Sequence, residues 1–148
     1  MLSGYFAKLD MRNDLVVLDA SIVVKWFHEE SDTPLAQSFQ ERMLAGEIRV
    51  SVPPLLFYEV ANVLTLKAPS EINAVEEALS SLQTMPFQVV EVMPGILIDG
   101  VRLAHQFRIS VYDALYVALA LFLKGVVITA DKKLKEKVNL PCIRLLSE

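Results

Sequence analysis

Val126-Val127-Ile128-Thr129-Ala130-Asp131 is an uncharged, largely β-branched run closed by an acid, and Leu15-Val16-Val17-Leu18-Asp19 has the same form. Neither run alternates with polar residues, which is the pattern of strands covered on both faces in a parallel sheet. In open parallel sheets ligands bind outside the carboxyl ends of the strands. If these two strands are neighbours, Asp19 and Asp131 therefore converge.

Working outward, the chain alternates strand-like with helix-like segments. After Asp19 the sequence predicts a helix over residues 21–28. A second helix follows, with Asp32 offering an N-cap, Pro34 early, and Leu35, Phe39 and Met43 on one stripe until Gly46. A strand over 48–52 meets Pro53-Pro54. Leu55, Leu56, Glu59, Asn62, Val63 and Leu66 then form one helical stripe. Ala68-Pro69-Ser70 breaks the chain, Ser70 is placed to cap a helix with the stripe Ile72, Val75, Leu79 and Leu82, and the two helices make a hairpin. Further elements are expected as a strand over 87–92, a helix from Pro94 to about 107, a very apolar helix over 111–124 opened by Ser110, a strand over 126–129, a short helix over 131–138 and a strand over 142–145. Strands separated by helices specify an α/β fold, a three-layer α/β/α sandwich with a central parallel sheet. Residues 1–14 precede the first apolar run, and Met11 is a possible translation start. They are expected to be an N-terminal extension, with residues 15–148 as one domain.

The 148 residues are 53% apolar, enough for a sizeable core. The longest apolar run, residues 114–123, is too short to cross a bilayer, which takes about 20 residues, and the N-terminal segment lacks a signal-peptide core. A cytoplasmic protein with no membrane partner is the expectation. The single cysteine, Cys142, excludes an intrachain disulfide and reads as a structural thiol. A net charge of −4 excludes a broad basic face for nucleic acid, so a phosphate-bearing substrate must be held locally. Lys132, Lys133, Lys135 and Lys137 follow Asp131 and read either as a solvated helix face or as a guide for a polyanion.

Four acids carry the candidate chemistry. Asp19 and Asp131 each stand where they could simply cap a helix. Asp113 lies three residues after Ser110, the spacing of a capping box. Glu59 is harder to explain by folding, because its stripe would set a carboxylate against the core at a cost of several kcal/mol unless an Arg or a metal partnered it. One divalent cation explains all four positions together, since carboxylates gathered at one sheet edge otherwise repel. Hard ions such as Mg²⁺ and Mn²⁺ prefer such oxygen ligands. His28 and His105 are isolated on helices, and no phosphate-binding Gly-rich loop or serine nucleophile elbow occurs.

Leu18-Asp19-Ala20-Ser21, Tyr58-Glu59-Val60-Ala61-Asn62, Val111-Tyr112-Asp113-Ala114-Leu115-Tyr116 and Thr129-Ala130-Asp131-Lys132 resemble, in order, the four acidic motifs of PIN-domain nucleases, and among them the VapC-type ribonuclease toxins. The resemblance covers roughly residues 15–146. It implies that Asp19, Glu59, Asp113 and Asp131 hold one or two Mg²⁺ or Mn²⁺ ions that activate a water for in-line attack on an RNA phosphodiester. Asp19 and Asp113 are given the most direct metal contacts. Ser21, Asn62 and Thr129 match polar positions that would support the acids by hydrogen bonding. A cognate antitoxin and a homodimer are the implied protein partners.

Two rivals remain. A receiver-type signalling domain also places Mg²⁺-binding acids at strand ends, but it needs a phosphoacceptor Asp closing a central strand, and Val89-Val90-Glu91-Val92 ends without one. A PIN-like scaffold subunit that keeps its acids without strong catalysis is the other.

Overall fold

The computed structural model describes residues 15–67 and 71–148. The expected extension, residues 1–14, and the expected break with its Ser70 cap lie outside the described residues. Strand β1 (Leu15–Leu18) leads into a short helix α1 (Ala20–Val23) and a 3₁₀ turn (Val24–Trp26). Then come α2 (Thr33–Leu44), β2 (Arg49–Val52), α3 (Leu55–Leu66), α4 (Ile72–Gln83), β3 (Gln88–Val89), α5 (Pro94–Phe107), α6 (Val111–Leu123), β4 (Val126–Thr129), α7 (Lys132–Lys137) and β5 (Ile143–Leu145).

All five strands are parallel, in the order β3-β2-β1-β4-β5. From β1 the chain steps outward through β2 to β3, then returns past β1 to start β4. Right-handed crossovers place helices on opposite faces for these two directions of travel. Helices α1 and α6 both pack against β1 and β4, so the centre of the sheet is covered on both sides. This is the three-layer sandwich expected from the uninterrupted apolar runs. Every residue of β1 is buried. Ser51, a polar residue in central β2, is fully buried and satisfied by its hydroxyl donating to Gln88 Oε1 at 2.9 Å.

Several predicted boundaries change for local reasons. The helix expected over 21–28 is one α-turn followed by the 3₁₀ turn. There the Lys25 side chain, only 8% exposed, pairs with Asp32 at 2.9 Å and Glu30 at 3.1 Å. Asp32 occupies the N-cap position of α2 but makes no capping bond, because its carboxylate serves Lys25. Glu71 occupies the cap position of α4. The buried line of α3 is Leu56, Val60 and Leu64, while Asn62 and Leu66 are exposed, so the predicted stripe was rotated toward its flank. Helix α4 buries Val75 and Leu82 but leaves Ile72 exposed. The strand expected over 87–92 shortens to Gln88–Val89 at the exposed sheet edge.

Helix α6 ends on Lys124 in the left-handed region, with Gly125 N donating to Ala120 O at 2.9 Å. A Cβ at Gly125 would stand 2.8 Å from the carbonyl oxygen of Leu15, at the start of β1. Gly125→Ala is expected to cost about 1–3 kcal/mol by forcing α6 away from that strand. Urea unfolding would show a lower midpoint with an unchanged slope; an unchanged midpoint would contradict this close approach.

Candidate active site

β1 and β4 are hydrogen-bonded neighbours, with Leu18 opposite Ile128, and Asp19 N extends the ladder to Ile128 O at 3.4 Å. Here the strand order reverses, the place where open α/β sheets bind ligands. The convergence expected of the two strand ends is therefore present in the backbone. Asp19 is 6% exposed and caps α1, its Oδ1 accepting from the amide and the hydroxyl of Ser21. Ser21 directs its hydroxyl proton at Asp19, and its oxygen accepts from Ala130 N at 2.9 Å and lies 3.3 Å from the Thr129 hydroxyl oxygen. The Thr129 oxygen in turn accepts from Asp131 N at 3.1 Å. Ser21 and Thr129 thus tie the two strand ends together. Asn62 is exposed and makes no side-chain hydrogen bond among the described residues.

The other acids arrive from separate elements. Asp131 is exposed and caps α7, with Oδ1 accepting from Leu134 N at 3.0 Å. Asp113 lies in the first turn of α6, where its amide donates to the Ser110 capping oxygen at 3.0 Å. Glu59 on α3 is half-buried. Its partner is not arginine: the Tyr116 hydroxyl of α6, from the same motif as Asp113, donates to Glu59 Oε1 at 2.6 Å. Tyr116 is itself 2% exposed. Its place in the Asp113 motif, one helical turn after the acid, was the signal for this contact.

Electrostatically the four acids form one set joined through Asp113. Burial, opposed by the Ser21 and Thr129 hydroxyls and reinforced by the Asp113 charge, lifts Asp19 from 3.8 to about 6. Burial also raises Glu59, offset by the Tyr116 hydroxyl and reinforced by Asp113. Asp113 rises for the same first reason, with Ser110 lowering it and Asp131 raising it. Burial beside this acidic edge pushes Tyr116 far up as well, so it remains a hydrogen-bond donor.

The carboxylates do not form a ready-made cage: among the described residues no three of the His, Cys, Asp and Glu side chains stand close enough to hold a metal ion. Glu59 is drawn to Tyr116 and Asp131 to the Leu134 amide. The chemistry of the donor set nevertheless fits a hard divalent cation. It consists of carboxylate oxygens, one of them almost wholly buried, that raise one another's pKa.

Comparison with known proteins agrees with this geometry. The family profile for the PIN domain matches residues 16–140. Ribonuclease VapC3 of Pyrobaculum aerophilum is 32% identical over 126 residues, covering 82% of this chain and 93% of the relative. Ribonuclease VapC1 of Mycobacterium tuberculosis is 31% identical over 135 residues, covering 87% and 95%. A toxin-antitoxin complex from Klebsiella pneumoniae contains a chain with the same fold at a TM-score of 0.66 and 14% identity, covering 88% of this chain and 97% of that one. The chain belongs to the PIN-domain family, in its VapC-type branch.

Two outcomes follow for the metal-free protein. A carboxyl with a folded pKa above its unfolded one favours the fold while protonated, and that stability is lost as pH rises through the folded value. For Asp19 the window runs from 3.8 to about 6, on the order of 3 kcal/mol for roughly 2 units. In EDTA, Asp19→Asn should therefore gain stability over the parent across this window, read from urea melts at successive pH; a constant difference would contradict the burial of this charge. Tyr116→Phe should cost on the order of 1 kcal/mol by leaving Glu59 without its donor, measured by thermal unfolding. No loss of stability would contradict that role.

Proposed function

We propose that this protein is a Mg²⁺- or Mn²⁺-dependent endoribonuclease that hydrolyses RNA phosphodiesters, acting as the toxin of a type II toxin–antitoxin pair. The observation that carries the reading is the buried Asp19 at the β1–β4 switch point, within the field of Asp113. A bound divalent cation would supply Lewis acidity, lowering the pKa of a water and offsetting charge on the phosphate. Asp19 and Asp113 would hold it directly. Glu59 and Asp131 would complete the set, exchanging their present bonds to Tyr116 and Leu134 for the cation or its waters. Ser21 and Thr129 fix the orientation of Asp19, and Tyr116 keeps Glu59 on the side of α3 that faces α6. Asn62, exposed on α3, would join only once substrate or partner covers that edge. Residues 15–148 are taken as the nuclease unit, with 1–14 as an addition to it.

The partner reading rests on the neighbour described as a toxin-antitoxin complex and on exposed apolar side chains of the α3–α4 hairpin. Tyr58, Leu66 and Ile72 are 70%, 72% and 65% exposed there, the kind of surface that a protein partner covers. A cognate antitoxin and a second copy of the chain are the proposed occupants. Among the described residues no single helix is long and apolar enough to cross a membrane, in keeping with a cytoplasmic role. The splayed carboxylates favour one alternative, a PIN-like scaffold with weak catalysis.

Asp19→Asn and Asp113→Asn should each lower cleavage of single-stranded RNA by at least about 100-fold with the fold retained, and EDTA should do the same to the parent. Mn²⁺ should raise the melting temperature of the parent through binding to the folded state. Cleavage that survives both EDTA and either substitution would overturn the assignment. Mn²⁺ stabilisation without any cleavage would favour the scaffold.

A further inference from the structure

The acidic edge opens into a pocket of about 250 Å³ whose lining carries both signs: Asp113 and Asp131 together with Arg108, Lys133 and Lys137. The four lysines of α7 do not form one solvated face. Lys135 Nζ donates to Ile143 O at 2.9 Å, and Lys132 lines a different groove, beside Asp32. Lys133 and Lys137, one helical turn apart, share the face that looks into the acidic pocket. That face is fixed by the buried Leu134 and by the Asp131 cap at the start of the same helix. Lys137 Nζ donates to the carbonyl oxygen of Arg108 at 3.3 Å, joining α7 to the end of α5, where Arg108 adopts φ 58°. Arg108 and Lys133 are exposed and form no ion pair with a carboxylate among the described residues.

A polyanionic strand approaching this protein meets a net charge of −4 and four carboxylates at the site. A cation held by those carboxylates offsets the repulsion only for the phosphate it touches. The next phosphate along the strand must be met by the protein. We infer that Arg108, Lys133 and Lys137 form a second phosphate-binding subsite, which takes the phosphodiester one nucleotide away from the bond that is cut. This rests on the ribonuclease reading and adds to it how the strand is held. At ~30 Å³ per water the pocket holds about eight waters, which a sugar–phosphate unit would displace. The guanidinium offers a planar fork and the ammonium groups point charges, both suited to phosphate oxygens.

The test is equilibrium binding of a labelled single-stranded RNA, followed by fluorescence anisotropy between 25 and 200 mM KCl, with Asp19→Asn as the background to suppress cleavage. Each lost phosphate contact lowers the slope of log K against log salt by about 0.7 on a single strand. Lys133→Ala with Lys137→Ala should therefore weaken binding at low salt about tenfold and reduce the slope by up to about 0.7, the share of one phosphate. The corresponding pair of Arg substitutions should restore it, and Lys132→Ala should leave it unchanged. A single neutral methylphosphonate beside the cut linkage should weaken binding to the background protein and have a smaller effect on the double alanine variant, which keeps only Arg108 at the subsite. A slope unchanged in that variant, or additive effects of neutral linkage and substitution, would overturn the subsite and leave the ribonuclease reading standing. Failure of the background protein to bind RNA, with no cleavage by the parent, would overturn both.

Discussion

The parallel pairing of β1 with β4 is the constraint from which the acidic edge follows. Because the chain travels outward from β1 before returning to form β4, the carboxyl ends of these strands lie side by side with helices leaving them toward opposite faces. Asp19 is the first residue beyond β1, and Asp131 the second beyond β4. Ser21 locks the arrangement, since its single hydroxyl serves the Asp19 carboxylate while its oxygen accepts from the Ala130 amide and lies beside the Thr129 hydroxyl. A shift of register by one residue would separate all of these partners.

Capping and chemistry are two uses of the same atoms here. Asp19 and Asp131 cap α1 and α7, and Asp113 sits in a capped first turn, so each has an ordinary local reason to be where it is. The capping bonds of Asp19 and Asp131 engage Oδ1 alone. What folding does not require is this burial of neighbouring carboxyls, which raises Asp19, Glu59 and Asp113 first by desolvation and then by the adjacent charge, at a cost to the metal-free protein. Asp113, the acid most easily accounted for by its cap, is the one through which the others are coupled. Glu59, the acid hardest to reconcile with folding, has a neutral phenol as its partner. The resulting edge is moderately destabilised on its own and is relieved by any cation that binds it, which couples metal occupancy to stability.

The strands were legible because an unbroken apolar run has few alternatives to a doubly covered strand, and β1, β4 and their closing acids stand where the sequence placed them. Edges and polar contacts were less legible. β3 shrank because an exposed edge strand gains little from apolar side chains, and the helix after Asp19 was cut short around Lys25, whose pairing with Glu30 and Asp32 spans five to seven residues of loop. Tyr116 was hidden inside the most apolar helix, where an aromatic ordinarily signifies packing. The division of the α7 lysines between three environments depends on helix phase against neighbours that are remote in sequence, which composition does not encode.

The most direct measurement is calorimetric titration of Mn²⁺ into metal-free protein at pH 6, in two buffers of different ionisation enthalpy, for the parent and for Asp113→Asn. If the acids act as one site centred on Asp113, the parent binds the ion with release of protons from carboxyls held partly protonated, and Asp113→Asn binds at least tenfold more weakly. Parent-like affinity in Asp113→Asn, or binding without proton release, would contradict a shared carboxylate site.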